Sequence, residues 1–153
     1  MLRLKPLEMP KRNKIFAVID TNVVVSSLFS KDGTSSPAQV VTAVLQGEIT
    51  PLYNDEILSE YREVLQRPKF SFTQGQIDEV LSIFVDYGVK SFRVDSSEED
   101  MPDPDDIVFY EVTLSVVDAY LVTGNIKHFP HKSFVVTPTE MVDILNGSKR
   151  SNY

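Results

Sequence analysis

Acidic side chains of this 153-residue chain fall at positions where a carboxylate has a chemical use or a high energetic cost. Asp20 ends the apolar run IFAVID (15–20), which has the length of a buried strand. In open α/β sheets, ligands bind in the crevice beyond the carboxyl ends of the strands. Asp20 therefore marks either a ligand site or, in the simpler interpretation, the N-cap of the following helix.

Glu60 lies on the apolar face of a helix predicted from Asn54 to Gln66, three residues after Ile57 and four before Val64. Residues at these spacings share a helix face. A carboxylate that faces the core is unfavourable unless it is paired, hydrogen-bonded or bound to a metal ion. A structural salt bridge to a nearby arginine is the alternative to a functional role.

The tetrapeptide Asp103-Pro104-Asp105-Asp106 precedes a hydrophobic helix predicted over residues 107–116. Capping that helix would use a single aspartate, which the helix dipole also favours. The additional negative charges repel one another and call for a cation. Capping and cation binding both remain open at this point.

The tripeptide Thr123-Gly124-Asn125 follows the apolar run AYLVT (119–123), so it also opens at the carboxyl end of a predicted strand. An ordinary Gly-Asn turn explains it equally well.

Hard oxygen ligands in a chain without cysteine suit Mg²⁺ or Mn²⁺. His128 and His131 lie in a proline-containing loop and are predicted to be surface or phosphate-contacting residues rather than metal ligands. The chain contains no glycine-rich phosphate loop, GxSxG elbow or dinucleotide-binding fingerprint.

The elements that must position these residues alternate along the chain. Strands are predicted over residues 15–20, 49–53, 89–94, 119–123 and 134–137. Helices are predicted over 37–46, 54–66, 73–87, 107–116 and 138–145, the last one stopped by Gly147. The third helix is expected to turn Val85 inward with its other apolar residues. This alternation predicts an α/β fold, with a central parallel sheet covered by helices on both faces.

We expect one domain over residues 15–147, between a flexible basic N-terminal arm (1–14) and a C-terminal tail (148–153). The net charge of −7 argues against a nucleic-acid partner. Seven of the 22 acids, however, lie within residues 95–106, and the other 15 balance the 15 Lys and Arg residues. Without cysteine, a membrane-length apolar run or a signal-peptide core, the chain is expected to be cytoplasmic, with no membrane partner.

Five segments in order carry a resemblance to a known family. They are VIDTNVVVSSLF (18–29), DEILSEYREVLQRPKF (55–70), DPDDIVFYEV (103–112), AYLVTGNIKHFP (119–130) and VVTPTEMVDIL (135–145). The chain resembles the PIN-domain ribonucleases, particularly the toxins of toxin–antitoxin pairs. The resemblance implies a Rossmann-like three-layer α/β/α sandwich that holds one or two Mg²⁺ or Mn²⁺ ions and hydrolyses RNA phosphodiester bonds. It also implies a small antitoxin partner and a homodimer.

Carried over by position, Asp20, Glu60 and Asp106 match the catalytic, metal-binding acids of the family, and Asp103 is a further metal-binding carboxylate. Asn125 stands where the family has its fourth acid, so a second ion would be held more weakly. The resemblance also implies supporting roles for Asn22, Thr123 and Asp105. Basic residues that flank the motifs are assigned to RNA contact: Arg67, Lys69, Lys127, His128 and Lys132. The alternative is that they are ordinary solvated surface residues.

Two other functions are considered. A catalytically degenerate domain of the same type would only bind RNA or protein, and Asn125 leaves this open. A haloacid-dehalogenase-like phosphatase would use Asp20 as its nucleophile, but such enzymes have a second aspartate where this chain has Asn22.

Overall fold

A computed structural model describes residues 14–96 and 101–150, with side chains as far as residue 147. The acids Glu98, Glu99 and Asp100, the predicted basic arm except Lys14, and the last three residues of the predicted tail lie outside the described residues.

The described residues form a parallel five-stranded sheet with helices. The strands are Ile15–Ile19 (β1), Ile49–Tyr53 (β2), Val89–Lys90 (β3), Tyr120–Val122 (β4) and Val135–Val136 (β5), in the spatial order β3-β2-β1-β4-β5. The helices are Thr21–Phe29 (α1), Ser36–Leu45 (α2), Asp55–Leu65 (α3), Gln74–Tyr87 (α4), Ile107–Thr113 (α5) and Pro138–Arg150 (α6). Single 3₁₀ turns span Pro68–Phe70, Pro104–Asp106 and Ile126–His128. The predicted three-layer α/β/α fold is confirmed.

The centre of the sheet is fully apolar. Ala17, Val18 and Ile19 in β1 and Leu121 and Val122 in β4 have no exposed surface. Continuous burial of this kind is typical of parallel strands that are covered on both faces. The chain passes outward from β1 to β3 and then returns to place β4 on the other side of β1, so the topological switch point lies between β1 and β4.

The hydroxyl of Tyr61 connects α3 to the end of β1. Tyr61 is fully buried, and its Oη donates a 2.6 Å hydrogen bond to the carbonyl oxygen of Ile19. Its ring packs against Phe84 at 5.0 Å between centroids. Because Glu60 precedes Tyr61 and Asp20 follows Ile19, this bond also sets the spacing of the two acids.

The predicted strand over residues 89–94 is wrong beyond Lys90. Arg93 leaves the sheet edge to contact the carboxylates of Glu56, at 2.9 Å, and Glu111, at 2.8 Å. The buried Glu111 also accepts hydrogen bonds from the backbone N and the Oγ of Ser96. These contacts bind the segment to α5, so it cannot continue the strand ladder.

Three smaller expectations are also wrong. Val85 is 45% exposed, because α4 turns Ile77, Phe84 and their neighbours toward the core instead. Helix α5 ends at Thr113, three residues early. Helix α6 continues through Gly147, which does not adopt the positive φ of a glycine stop.

We predict that Tyr61→Phe lowers the free energy of unfolding by about 1–3 kcal/mol, because the buried carbonyl of Ile19 loses its hydroxyl donor. The matched control is Tyr53→Phe, since the buried Tyr53 donates no hydroxyl hydrogen bond within the described part of the chain. Urea denaturation of both variants measures the difference. Equal effects would contradict the role given to the Tyr61 hydroxyl.

Candidate metal centre

A cavity of about 300 Å³ opens where β1 and β4 end. Its walls come from five parts of the chain: the start of α1, one face of α3, the turn before α4, the turn before α5 and the loop after β4. The lining residues are Asp20, Thr21, Asn22, Val25, Ser26, Glu60, Val64, Phe70, Asp103, Asp106, Asn125 and His128. The topology therefore brings all four predicted metal-binding acids to one cavity.

Asp20 is the most buried of these acids, with 6% of its surface exposed. It is the N-cap of α1, as the simpler interpretation expected, and its Oδ1 accepts a 2.8 Å hydrogen bond from the backbone N of Thr21. Its Oδ2 accepts a 2.7 Å hydrogen bond from Thr123 Oγ1. Burial raises the pKa of Asp20 to about 6; the Thr123 hydrogen bond opposes this rise, and the negative charge of Asp106 adds to it.

Glu60 projects from α3 into the cavity and is partly exposed. The salt bridge considered for it is absent from the described part of the chain, because Arg67 contacts Glu63 at 3.4 Å instead. Burial raises the pKa of the Glu60 carboxyl; the charge of Glu63 adds to the rise, and Arg67 opposes it. Among the described residues, Glu60 is thus a carboxylate at the cavity that forms no salt bridge.

Asp103, Asp106 and His128 form the tightest group of potential ligands. One donor atom from each lies within 4.8 Å of the others. Asp103 Oδ1 accepts a 3.0 Å hydrogen bond from the backbone N of Asp105, so this acid also caps the turn that carries Asp106. Asp106 Oδ2 lies 3.1 Å from His128 Nδ1. Burial raises the pKa of Asp106, and the charge of Asp103 adds to the rise, while the hydrogen bond with His128 lowers it.

The place of His128 is the main feature of the site that sequence reasoning missed. The sequence predicts RNA contact for His128, and the structure places its ring beside Asp106. A 3₁₀ turn over Ile126–His128 follows Asn125 and brings His128 back to the cavity. Local sequence gives no signal of this placement, because the contact joins two loops that are 22 residues apart in the chain. Asp20 and Glu60 border the same cavity outside the 4.8 Å group.

Three polar residues shape the loop after β4. Thr123 Oγ1 donates to Asp20 and accepts a 2.9 Å hydrogen bond from the backbone N of Asn125. Asn22 Oδ1 accepts a 3.2 Å hydrogen bond from the backbone N of Gly124. Thr123 and Asn22 therefore hold the loop, while the Asn125 side chain borders the cavity. Asp105 is exposed and is not among the lining residues.

The residues assigned to RNA contact are all exposed. Lys69 places its Nζ 5.2 Å from the centroid of the Phe70 ring, at the cavity. Lys127 and Lys132 line a neighbouring groove of about 800 Å³ under α6. Lys69 therefore places a positive charge next to one wall of the acidic cavity.

The donor set fits a hard divalent cation. Carboxylates, an amide oxygen and one imidazole suit Mn²⁺, and the oxygen donors suit Mg²⁺. Three of the acids, Asp20, Glu60 and Asp106, have pKa values raised by burial and by neighbouring negative charge, so a cation between them would stabilise their ionised forms.

Comparison with known families now adds to this geometry. The sequence profile of the PIN domain matches residues 17–127. The chain belongs to the PIN domain family. PIN domains are generally nucleases, and they typically bind divalent metal ions. Neither the curated proteins nor the solved structures contain a significant match to the chain.

The matched part of this PIN domain includes every acid at the cavity, together with Asn125. It ends before β5, which completes one edge of the sheet, and α6, which packs against α2. None of the described helices is long and apolar enough to cross a membrane.

We predict that Asp20→Asn stabilises the metal-free PIN domain at neutral pH. Because the pKa of Asp20 is about 6 in the folded chain and 3.8 ordinarily, the folded state binds more protons between these values. The free energy of unfolding of the parent protein therefore falls as the pH rises from about 4 to about 7. The variant lacks this loss and should be more stable at pH 7 in EDTA by up to about 3 kcal/mol.

Asp32→Asn is the control for this experiment. Asp32 is exposed, and hydrogen bonds from Thr34 lower its pKa, so its replacement should give no stabilisation at pH 7. Urea denaturation of the three proteins at several pH values provides the measurement. A destabilised Asp20→Asn protein at pH 7 would show that the buried charge is compensated within the chain.

Proposed function

We propose that this PIN domain is an endoribonuclease that hydrolyses RNA phosphodiester bonds with one or two Mg²⁺ or Mn²⁺ ions. The observation that supports it best is that Asp20, Glu60 and Asp106, three acids from distant parts of the sequence, border a single cavity at the topological switch point. Asp103 and Asp106, with Asp20 and Glu60, would hold the metal. A bound ion supplies the Lewis acidity that activates water and stabilises the departing oxygen.

The chain's own residues would orient the reactants. Two hydrogen bonds fix the Asp20 carboxylate, so little rearrangement is needed when a cation binds. Glu60 forms no salt bridge with the described part of the chain, so its carboxylate is available to hold the metal. Asn125 offers a neutral amide oxygen at the position of the family's fourth acid. A carboxylate there would bind a second metal ion more tightly.

RNA would reach the acids past the basic residues that flank the motifs. The carboxylates alone repel phosphates, and the bound metal with Arg67, Lys69, Lys127, His128 and Lys132 would offset that repulsion. Contacts between basic side chains and phosphates position the RNA backbone without selecting an RNA sequence.

The proposal extends to a biological role only through the family resemblance. By that resemblance the protein is the toxin of a toxin–antitoxin pair, with a small antitoxin protein as partner and a homodimeric form. Growth arrest of a bacterium on expression, abolished by Asp20→Asn, is the expected result. Unimpaired growth alongside RNA cleavage in vitro would reject the toxin role and leave the nuclease.

We predict that the protein cleaves unstructured RNA in Mn²⁺ or Mg²⁺ and is inactive in EDTA. Asp20→Asn, Glu60→Gln and Asp106→Asn should each reduce the cleavage rate about 100-fold or more, since even residues that only orient metal ligands contribute about 10- to 100-fold. Gel analysis of end-labelled RNA measures the rates. Glu79→Gln, an exposed glutamate on α4 outside the cavity, is the control and should retain full activity.

Two results would reject the nuclease proposal. Cleavage that persists in EDTA would show a metal-independent contaminant or mechanism. Metal-dependent RNA binding without cleavage would instead favour a catalytically degenerate domain that only binds RNA.

We predict that Asn125→Asp tightens Mn²⁺ binding at least about fivefold, because about 1 kcal/mol of added attraction changes an affinity by that factor. The new carboxylate would border the cavity at the position of the family's fourth acid. Titration calorimetry measures the dissociation constants, with Asn146→Asp, an exposed position on α6, as the control. Unchanged affinity would place residue 125 outside the metal's reach.

A further inference from the structure

Three phenylalanine rings contact one another beside the cavity. Phe29 ends α1, Phe70 ends the 3₁₀ turn after α3, and Phe72 follows two residues later. The ring centroids lie 5.0 Å apart for Phe29 and Phe72, 5.7 Å for Phe70 and Phe72, and 5.9 Å for Phe29 and Phe70. We call these three residues the aromatic cluster.

Core packing explains only part of this cluster. Phe70 and Phe72 are partly buried and pack against the hydrophobic core. Phe29 is 54% exposed and is not among the residues that pack there. A large aromatic ring held in solvent by two others leaves a stacking surface open.

The aromatic cluster is continuous with the candidate metal centre. Phe70 lines the same cavity as Asp20, Glu60 and Asp106. Between Phe70 and Phe72, Ser71 adopts the left-handed conformation, with φ 58° and ψ 28°, and the two rings lie within 19° of parallel. A ligand whose phosphate reached the acids would therefore have an aromatic ring beside it.

A lysine side chain adds positive charge next to the aromatic cluster. The Lys69 ammonium lies 5.2 Å from the centre of the Phe70 ring, and Lys69 is exposed. An aromatic face next to a cation complements a nucleotide, whose base stacks and whose phosphate is an anion. An apolar peptide would use the rings but gain nothing from the ammonium.

We infer that the aromatic cluster binds a base of single-stranded RNA next to the phosphate at the metal centre. This inference rests on the proposed nuclease function and adds a base-binding site beside its metal centre. Bases within a duplex are stacked on their neighbours, whereas those of a single strand are free to stack on protein side chains. Stacking of this kind tolerates any base, so the cluster would select unpaired RNA without selecting a sequence.

The test is binding of a short single-stranded RNA that carries 2-aminopurine, titrated in Ca²⁺, which carboxylate oxygens bind as they do Mg²⁺, with gel analysis to check that the RNA stays intact. Binding to the parent protein should quench the fluorescence of the base. Phe29→Leu and Phe70→Leu, which keep the apolar bulk, should weaken binding about tenfold and reduce the quenching. Phe29→Trp should preserve both. Thermal unfolding of each variant checks that the fold is retained.

The control variant is Tyr87→Leu, which removes an aromatic ring of similar exposure, 49%, at the end of α4 and outside the cavity. It should bind RNA as the parent does. A duplex of the same sequence should bind more weakly to the parent and equally to all variants. Parent-like binding of single-stranded RNA by both leucine variants would overturn the inference, and so would equal affinity of the parent for duplex and single strand.

These readouts are independent of catalysis. Base-dependent binding without any metal-dependent cleavage would support the stacking site and reject the nuclease. Metal-dependent cleavage with parent-like RNA binding by the leucine variants would support the nuclease and reject the stacking site.

Discussion

The pairing of β1 with β4 is the contact on which the site depends. It joins strands about 100 residues apart in the chain, and the backbone N of Asp20 donates a 2.9 Å hydrogen bond to the carbonyl oxygen of Val122 at its end. Asp20 and Thr123 thereby become neighbours, and the Thr123 hydroxyl reaches the Asp20 carboxylate. Every other acid is arranged around this fixed point: Glu60 through the Tyr61 bond to β1, and Asp106 through the turn that precedes α5.

Local sequence patterns predict the parts of the fold that depend on contacts between residues close together in the chain, such as the starts of helices. Helices α3 and α4 begin next to the predicted starts, Asn54 and Thr73, because the side-chain oxygen of each residue accepts a hydrogen bond from a backbone N three residues later. The strand after α4 could not be predicted in full, since Arg93 leaves the sheet for carboxylates that are distant in sequence. Nor could the continuation of α6 through Gly147, where glycine is permitted but not required to end a helix.

The candidate site divides in the same way. The acids were identifiable because each one is out of place: a charge at a strand end, on an apolar helix face or in a crowded turn. Their common cavity required the topology, which the family resemblance supplied and the residues alone did not. His128 was assigned elsewhere because its position depends on a 3₁₀ turn and on a contact with Asp106, 22 residues away. Contacts between two loops leave little trace in local sequence.

The buried Glu111 has a consequence for how this chain tolerates change. Its carboxylate holds Ser96, and the Asp103 side chain caps the 3₁₀ turn Pro104–Asp106 with its own hydrogen bond. The residues on both sides of the acid-rich connection are thus held by contacts of their own. Lengthening a connection adds only about 0.6 kcal/mol per doubling. Insertions and deletions can therefore accumulate at this point during evolution while Asp103 and Asp106 keep their places.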